Sequence, residues 1–320
     1  MEYINLKNSD MKVSRLCMGG CQMGGYGWGD VQERELIDAV HAALDNGITF
    51  FDTADTYGLG QSEKTIGKAL GERRQDVVVA DKFGVRVGQG RTVYDNSPDY
   101  IKQALDASLE RLGTDYIDLY QLHYRDKTIP LDEVIGTLEE LKDKGKIRYY
   151  GLSNVHWEDY DEVKPFIGKI VSIQNEYSLA CRKNETDLMK FSLEFKMTPM
   201  TWGSLGQGIL TGKYDENVVF ANSDRRSRDI YVNFHGNKLL KNLEIVEAMK
   251  PIAAAHNKPV SAVAIRFIMD WITDSVVLVG AKRPVQLLEN IEGCDWNLTE
   301  EEMRVLDTVS RDNRILEELK

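Results

Sequence analysis

The chain has little of what marks several protein classes. Only four of its residues are cysteine (Cys17, Cys21, Cys181 and Cys294), at spacings that suit neither a zinc site nor a redox pair. A disulfide scaffold is therefore excluded, and reduced thiols of a cytoplasmic protein are expected. Histidines number five, with no H-E-x-x-H and no pair at ligand spacing, which argues against a catalytic metal. The longest apolar stretches, such as Ser275–Ala281, fall far short of the about 20 residues that span a bilayer. The N-terminus, MEYINLKNSDMK, lacks the apolar segment of a secretory signal, so none is expected. Basic residues are outnumbered, 40 against 51 acidic, for a net charge of −11. No Lys/Arg block forms a stripe, so neither nucleic acid nor a membrane is an expected partner. No Pro/Gly/Ser-rich linker cuts the chain, and residues 1–320 are expected to form one domain.

What is present is an alternation. The spacing predicts a helix over 33–46, with Leu36, Ile37, Val40 and Leu44 on one face and a stop at Gly47. Another begins near Ser62 and stops at Gly71. Ser97–Pro98 reads as an N-cap followed by proline in the first turn, ahead of a helix that ends at Gly113. A fourth helix runs from Pro130 to Lys144. Between and beyond these lie apolar strands near 15–19, 48–52, 77–81, 116–122, 147–152, 170–174, 197–201 and 276–279. Strands alternating with amphipathic helices mean parallel βαβ units. Closure of eight such strands predicts an α/β fold, a (β/α)8 TIM barrel, with an open doubly wound sheet as the competitor. Residues 2–13 are expected as a short N-terminal hairpin plugging the barrel bottom. Residues 213–238, rich in Asn, Asp, Arg and aromatics, are too long for an ordinary connection and read as a functional loop.

In such a barrel, chemistry sits at the carboxyl ends of the strands. The second strand runs into Asp52 and on to Tyr57, the third into Lys82, and the fourth into His123, the one histidine of five placed at a strand end. Singly, each has a plain structural reading: a capping Asp, a solvated Lys, one tyrosine of 14. Jointly, at one mouth, they form a set with a narrow chemistry. A tyrosine gives or takes a proton near neutrality only if a cation favours its phenolate; Lys82 could supply that cation, Asp52 could hold the ammonium, and His123 could orient a carbonyl oxygen. None of them can donate hydride, so a cofactor must. The glycine-rich run Gly19–Gly29 matches neither a phosphate-binding P-loop nor G-x-G-x-x-G. It reads as a loop whose Tyr26 and Trp28 could line a pocket.

FFDTADTYG (Phe50–Gly58), ADKFG (Ala80–Gly84), TDYIDLYQLH (Thr114–His123), GLSN (Gly151–Asn154) and GAKRP (Gly280–Pro284) occur in this order. Together they resemble the aldo-keto reductase family over essentially the whole chain. The resemblance implies a barrel that binds NADP(H), in preference to NAD(H), without a Rossmann domain. It further implies that Tyr57 is the general acid/base, that Lys82 lowers its pKa and pairs with Asp52, and that His123 helps place the carbonyl. Ser153, Asn154 and Gln174 would then hydrogen-bond the nicotinamide carboxamide, and Trp202 would stack on its ring. Ser204, Leu205, Gly206 and Lys213 would meet the pyrophosphate; Gly280, Lys282, Arg283, Gln286, Glu289 and Asn290 would meet the adenosine end. Lys282 and Arg283 suit a 2′-phosphate.

One departure is visible. Related chains often read His-x-Pro-Asp where this one reads His123-Tyr124-Arg125-Asp126. Arg125 is either a surface arginine or a cation near the mouth that would favour an anionic or polyhydroxylated substrate. Tyr26, Trp28 and Tyr124 give an aromatic mouth, so a sugar-like carbonyl is among the expected substrates. Two other functions fit the same residues. One is a nucleotide-binding regulatory subunit similar to potassium-channel β subunits; the other is an epimerase or lyase that retains its nucleotide.

Overall fold

The computed structural model describes residues 1–25, 27–29, 31–88 and 91–314. β1 (Tyr3–Asn5) and β2 (Lys12–Ser14) pair antiparallel. There follow β3 (Leu16–Gly19), β4 (Phe50–Asp52), β5 (Val78–Phe83), β6 (Val85–Gly88), β7 (Arg91–Tyr94), β8 (Ile117–Leu122), β9 (Ile147–Ser153), β10 (Ser172–Glu176), β11 (Thr198–Trp202) and β12 (Val276–Gly280). Leaving out β6 and β7, which pair only with each other, the strands from β3 to β12 are parallel neighbours and close into a barrel. The open doubly wound alternative is thereby eliminated: β12 bonds β3, and no sheet edge remains in the barrel.

Successive residues of each strand serve opposite faces. Cys17, Phe50, Ala80, Leu119 and Met200 point into the barrel and form a closed apolar floor with Leu6, Met11 and Val13 from the β1–β2 hairpin. The alternate residues, among them Met18, Phe51, Val79 and Ile173, pack outward against the helices. Those are α1 (Glu33–Asp45), α2 (Gln61–Leu70), α3 (Pro98–Leu112), α4 (Leu131–Asp143), the single turn α5 (Tyr160–Val163), α6 (Glu185–Glu194), α7 (Gly236–Ala255), α8 (Val260–Trp271), α9 (Pro284–Ile291) and α10 (Glu300–Ser310). No described helix is long and apolar enough to cross a membrane.

The local signals have visible causes. Ser97 caps α3 through a hydrogen bond from the Tyr100 amide, with Pro98 in the first turn, and Gly113 ends it in the left-handed region. Three strands are displaced by two residues at one or both ends from the spans the apolar runs predict. β4 starts at Phe50 rather than 48, β10 covers Ser172–Glu176 rather than 170–174, and β5 continues to Phe83 rather than stopping at 81. Strand ends follow the partner's hydrogen bonds, which apolar runs do not report: Asp81, Lys82 and Phe83 pair with Tyr120, Gln121 and Leu122. The β6–β7 hairpin, just beyond β5, was not anticipated. Only Val85 of it is buried, while Val87 and Val93 stay exposed, so it gives no periodic core signal.

Candidate active site

Asp52 closes β4 opposite Ala80, and Lys82, two residues further along β5, points to the same inward face. Both are almost fully buried, at 2% and 1% exposed. The Lys82 ammonium is ion-paired to Asp52 Oδ1 and donates to the Thr53 carbonyl at 3.0 Å. The other carboxylate oxygen, Oδ2, accepts from Gln174 Nε2 at 2.8 Å and from Gln121 Nε2 at 3.2 Å. A glycine makes this crowding possible: a Cβ at Gly151 would lie 2.1 Å from Ser172 Oγ, the hydroxyl that donates to Gln121. A buried ion pair needs such additional donors to offset its desolvation.

Tyr57 arrives on the turn after β4. Lys82 Nζ lies 3.5 Å from its hydroxyl and 5.2 Å from its ring centroid. The turn is fixed from above, because a Cβ at Gly58, where φ is +63°, would strike the Gly24 carbonyl at 2.1 Å. His123 meets the Tyr57 ring edge-on, with centroids 5.9 Å apart, and stacks on Tyr124 at 5.0 Å. Tyr124 in turn stacks on Tyr94 of the unanticipated hairpin at 5.1 Å. The structure therefore brings Asp52, Tyr57, Lys82 and His123 together at one end of the barrel.

The electrostatics differ from expectation at one point. Burial pushes the Tyr57 phenol well above its ordinary value, and the negative potentials of Cys21 and Asp52 add to the rise. The Lys82 ammonium is shared with Asp52 and the Thr53 carbonyl, and burial outweighs what it offers the phenol. Tyr57 therefore holds its proton throughout the neutral range, as a donor must. His123 is held far below the usual imidazole range by burial and then by Lys82, so it is neutral and suited to orienting rather than protonating.

Asp52, Tyr57 and His123 line a cleft of about 490 Å3, a volume typical of small-molecule sites. Of the sequence-expected nucleotide residues, Ser153, Asn154, Gln174, Trp202, Ser204, Leu205, Lys213, Gly280, Lys282, Gln286, Glu289 and Asn290 line it, as do Trp28 and Tyr124. Gly206 and Arg283 do not line it. Gly206 lies beneath the surface, where a Cβ would meet Ile209 and Ala180 within 3 Å. Arg283 turns away onto Glu35 of α1, with its Nε 3.0 Å from Oε1. Gln174 does line the cleft, but its amide nitrogen is engaged by Asp52 and Gln121. Arg125 is no mouth cation: it is buried and paired to Glu162 at 2.6 Å. Tyr26 falls outside the described residues.

Sequence reasoning missed Cys21, Arg225, Arg226 and Tyr231, all on the cleft wall. Arg225 donates its amide to Gly27 and lays its guanidinium 5.0 Å from the Trp28 ring centre, while Tyr231 meets that ring edge-on. Arg226 is fixed by Asp224 and Tyr214. The segment around residues 224–231 thus reaches across to the loop after β3. The Ser223–Asp229 run, SDRRSRD, was the available signal for these cations.

The profile of the Aldo/keto reductase family matches residues 15–311. The chain belongs to the aldo/keto reductase family. It is therefore an oxidoreductase of carbonyl compounds. A curated relative, the NADH-specific methylglyoxal reductase of Escherichia coli, is 32% identical over 319 residues, covering 94% of this chain and 95% of that protein. Among solved aldo-keto reductase folds, the glycerol dehydrogenase AKR11B4 from Gluconobacter oxydans superposes with a TM-score of 0.87 at 32% identity, covering 96% of this chain and 94% of that one. An aldo-keto reductase from Klebsiella pneumoniae in complex with NADPH gives 0.75 at 25% identity, covering 97% and 96%.

Proposed function

We propose that this aldo/keto reductase is an NADPH-dependent reductase of small aldehydes or ketones, with Tyr57 as the proton donor. The observation that carries this reading is the Tyr57 hydroxyl, 3.5 Å from a fully buried Lys82 ammonium, on the wall of a cleft that also presents Trp202 and Asn154. The cleft suits a dinucleotide. Trp202 offers a partly exposed ring whose buried Nε1 has no partner, and Gly203 follows it at a φ of +67°, so backbone and ligand can approach closely. NADPH would supply the hydride. The residues of the chain do the rest: the neutral His123 orients the carbonyl oxygen, Tyr57 gives that oxygen its proton, and Lys82, held by Asp52, stabilises the phenolate that forms. Burial keeps Tyr57 protonated, yet a phenol remains a stronger acid than the alcohol being made, so the transfer stays downhill.

Preference for the 2′-phosphorylated nucleotide rests on Lys282. Its ammonium is half-buried, donates to the Trp28 carbonyl at 2.8 Å, and is pushed below the usual lysine range by burial and by Arg226. A cation already crowded by another cation gains from an incoming dianion. Lys282→Ala is expected to weaken NADPH binding by about ten- to a hundredfold, the worth of one charged hydrogen bond, while NADH binding, followed by the same fluorescence titration, changes little. Equal losses for both would remove the phosphate assignment. Activity is tested by NADPH consumption with a panel of aldehydes, ketones and keto sugars. Sustained turnover on a member supports the reading; tight NADPH binding without turnover on any of them would favour a regulatory subunit, and nucleotide that co-purifies and does not exchange would favour an epimerase or lyase.

A further inference from the structure

Behind the tetrad, on the outer face of β5, lies a group of acids that the proton transfer itself does not use. Asp81 and Glu63 are both 0% exposed. Glu63, on α2, is clamped by Arg111 of α3 through bonds of 2.6 and 3.0 Å. Asp81 is within hydrogen-bonding reach of that same carboxylate, yet its Oδ2 has no donor. Two carboxylates in contact repel unless one carries a proton. Asp55, on the turn leading to Tyr57, gives a second indication. The Tyr100 hydroxyl sits 3.2 Å from Asp55 Oδ2 and 3.0 Å from the Val85 carbonyl. One hydroxyl has one proton and cannot donate to both acceptors. A proton on Asp55 resolves the conflict: Asp55 donates to Tyr100, and Tyr100 donates to Val85.

These acids bracket Lys82. Asp81 Oδ1 accepts the Lys82 amide at 2.9 Å, and the Asp55 amide donates to the Lys82 carbonyl at 3.2 Å. The charged and titratable groups facing them are Arg111 and Tyr100 on α3, Tyr120 on β8, and Arg86 of β6, which leans on the Tyr100 ring and pairs with Asp95. Three carboxyl groups with two protons carry one negative charge, which Arg111 balances. We infer that Asp55, Glu63 and Asp81 form a proton-sharing unit behind Lys82, that Asp55 and Asp81 are positioning residues, and that release of the Asp55 proton slows carbonyl reduction. The inference rests on the reductase reading above.

The sign follows from electrostatics. Burial and the neighbouring Glu63 raise Asp55 to about 7. Above that pH the unit carries two negative charges against the single cation of Arg111, and the share that falls on Asp81 raises the Tyr57 phenol. More negative charge makes Tyr57 hold its proton harder, so reduction declines while Tyr57 itself is still protonated.

The test uses the full chain, wild type alongside Asp55→Asn, Asp81→Asn and Tyr100→Phe. The first measurement needs no substrate: infrared difference spectra between about pH 5 and pH 9. Wild type is expected to lose a carboxylic-acid carbonyl band on raising the pH, and Asp55→Asn to lack that change. The second is kcat/KM against pH, with saturating NADPH and the fastest carbonyl of the panel. Wild type is expected to fall by about tenfold over that range, the effect of a one-unit shift in the phenol, and Asp55→Asn and Asp81→Asn to flatten the fall. Once Asp55 is ionised, the Tyr100 hydroxyl turns from Val85 to donate to it, a charge-assisted bond stronger than the neutral one it replaces; Tyr100→Phe should therefore move the fall to higher pH, which keeps the test open if an Asn variant does not fold. An Asp55→Asn chain with wild-type spectra and profile, or a Tyr100→Phe profile that does not move, overturns the inference. Turnover that survives in Tyr57→Phe would sink the reductase reading instead, while the infrared result would still decide the proton-sharing unit.

Discussion

Tyr57→Phe is expected to lose carbonyl reduction by about 10²- to 10⁴-fold, the span that a positioned general acid supplies, while NADPH binding stays within about twofold. The ring edge against His123 and the approach of Lys82 to the ring face both survive the substitution, because phenylalanine keeps the shape and removes only the oxygen. The loss should therefore fall on kcat, since a proton given only in the transition state does not contribute to ground-state binding. Single-turnover measurement with NADPH preloaded separates the two. A slow hydride step with an unchanged nucleotide Kd is the expected result, and a variant reducing carbonyls at more than about a tenth of the wild-type rate would remove Tyr57 from the role.

The second large effect concerns the ion pair. Lys82→Met leaves the Asp52 carboxylate buried with only the amides of Gln121 and Gln174 as donors. Removing one partner of a buried pair costs about 3–5 kcal/mol, visible as a lowered denaturation midpoint, and turnover should vanish with the ammonium. The informative comparison is the double variant Asp52→Asn with Lys82→Met. Taking out both charges relieves the uncompensated carboxylate, so stability should recover by more than half while activity does not. If the double variant is as unstable as Lys82→Met alone, the cost lies in packing rather than charge.

Much of this was legible in the chain itself. Glycines past the helix ends and the Ser97–Pro98 cap are local signals with local causes, and they placed the helices from α1 to α4 within a residue or two of the observed spans. The tetrad was legible because each member follows an apolar strand, and parallel closure puts every such end on one face. What escaped needed three dimensions. Arg283 and Glu35 are 248 residues apart in sequence, so no pattern in GAKRP announces that the arginine leaves the cleft. The direction of the Tyr57 shift depends on how much protein covers the phenol, which a motif does not encode. The stretch VRVG…RTVY does alternate, but with Val85 alone buried it offered no periodic signal of core packing.

The ring stack from Tyr94 through Tyr124 to His123 joins the second strand of a surface ribbon to the reacting centre. Among the described residues, that ribbon shares no backbone hydrogen bond with the closed sheet. Changing its outward residues Val87, Val93 and Tyr94, while keeping Val85, whose carbonyl serves Tyr100, would alter the surface beside Tyr124 and leave the proton-handling groups where they stand, so that surface and the catalytic groups can evolve, or be engineered, on separate parts of the chain.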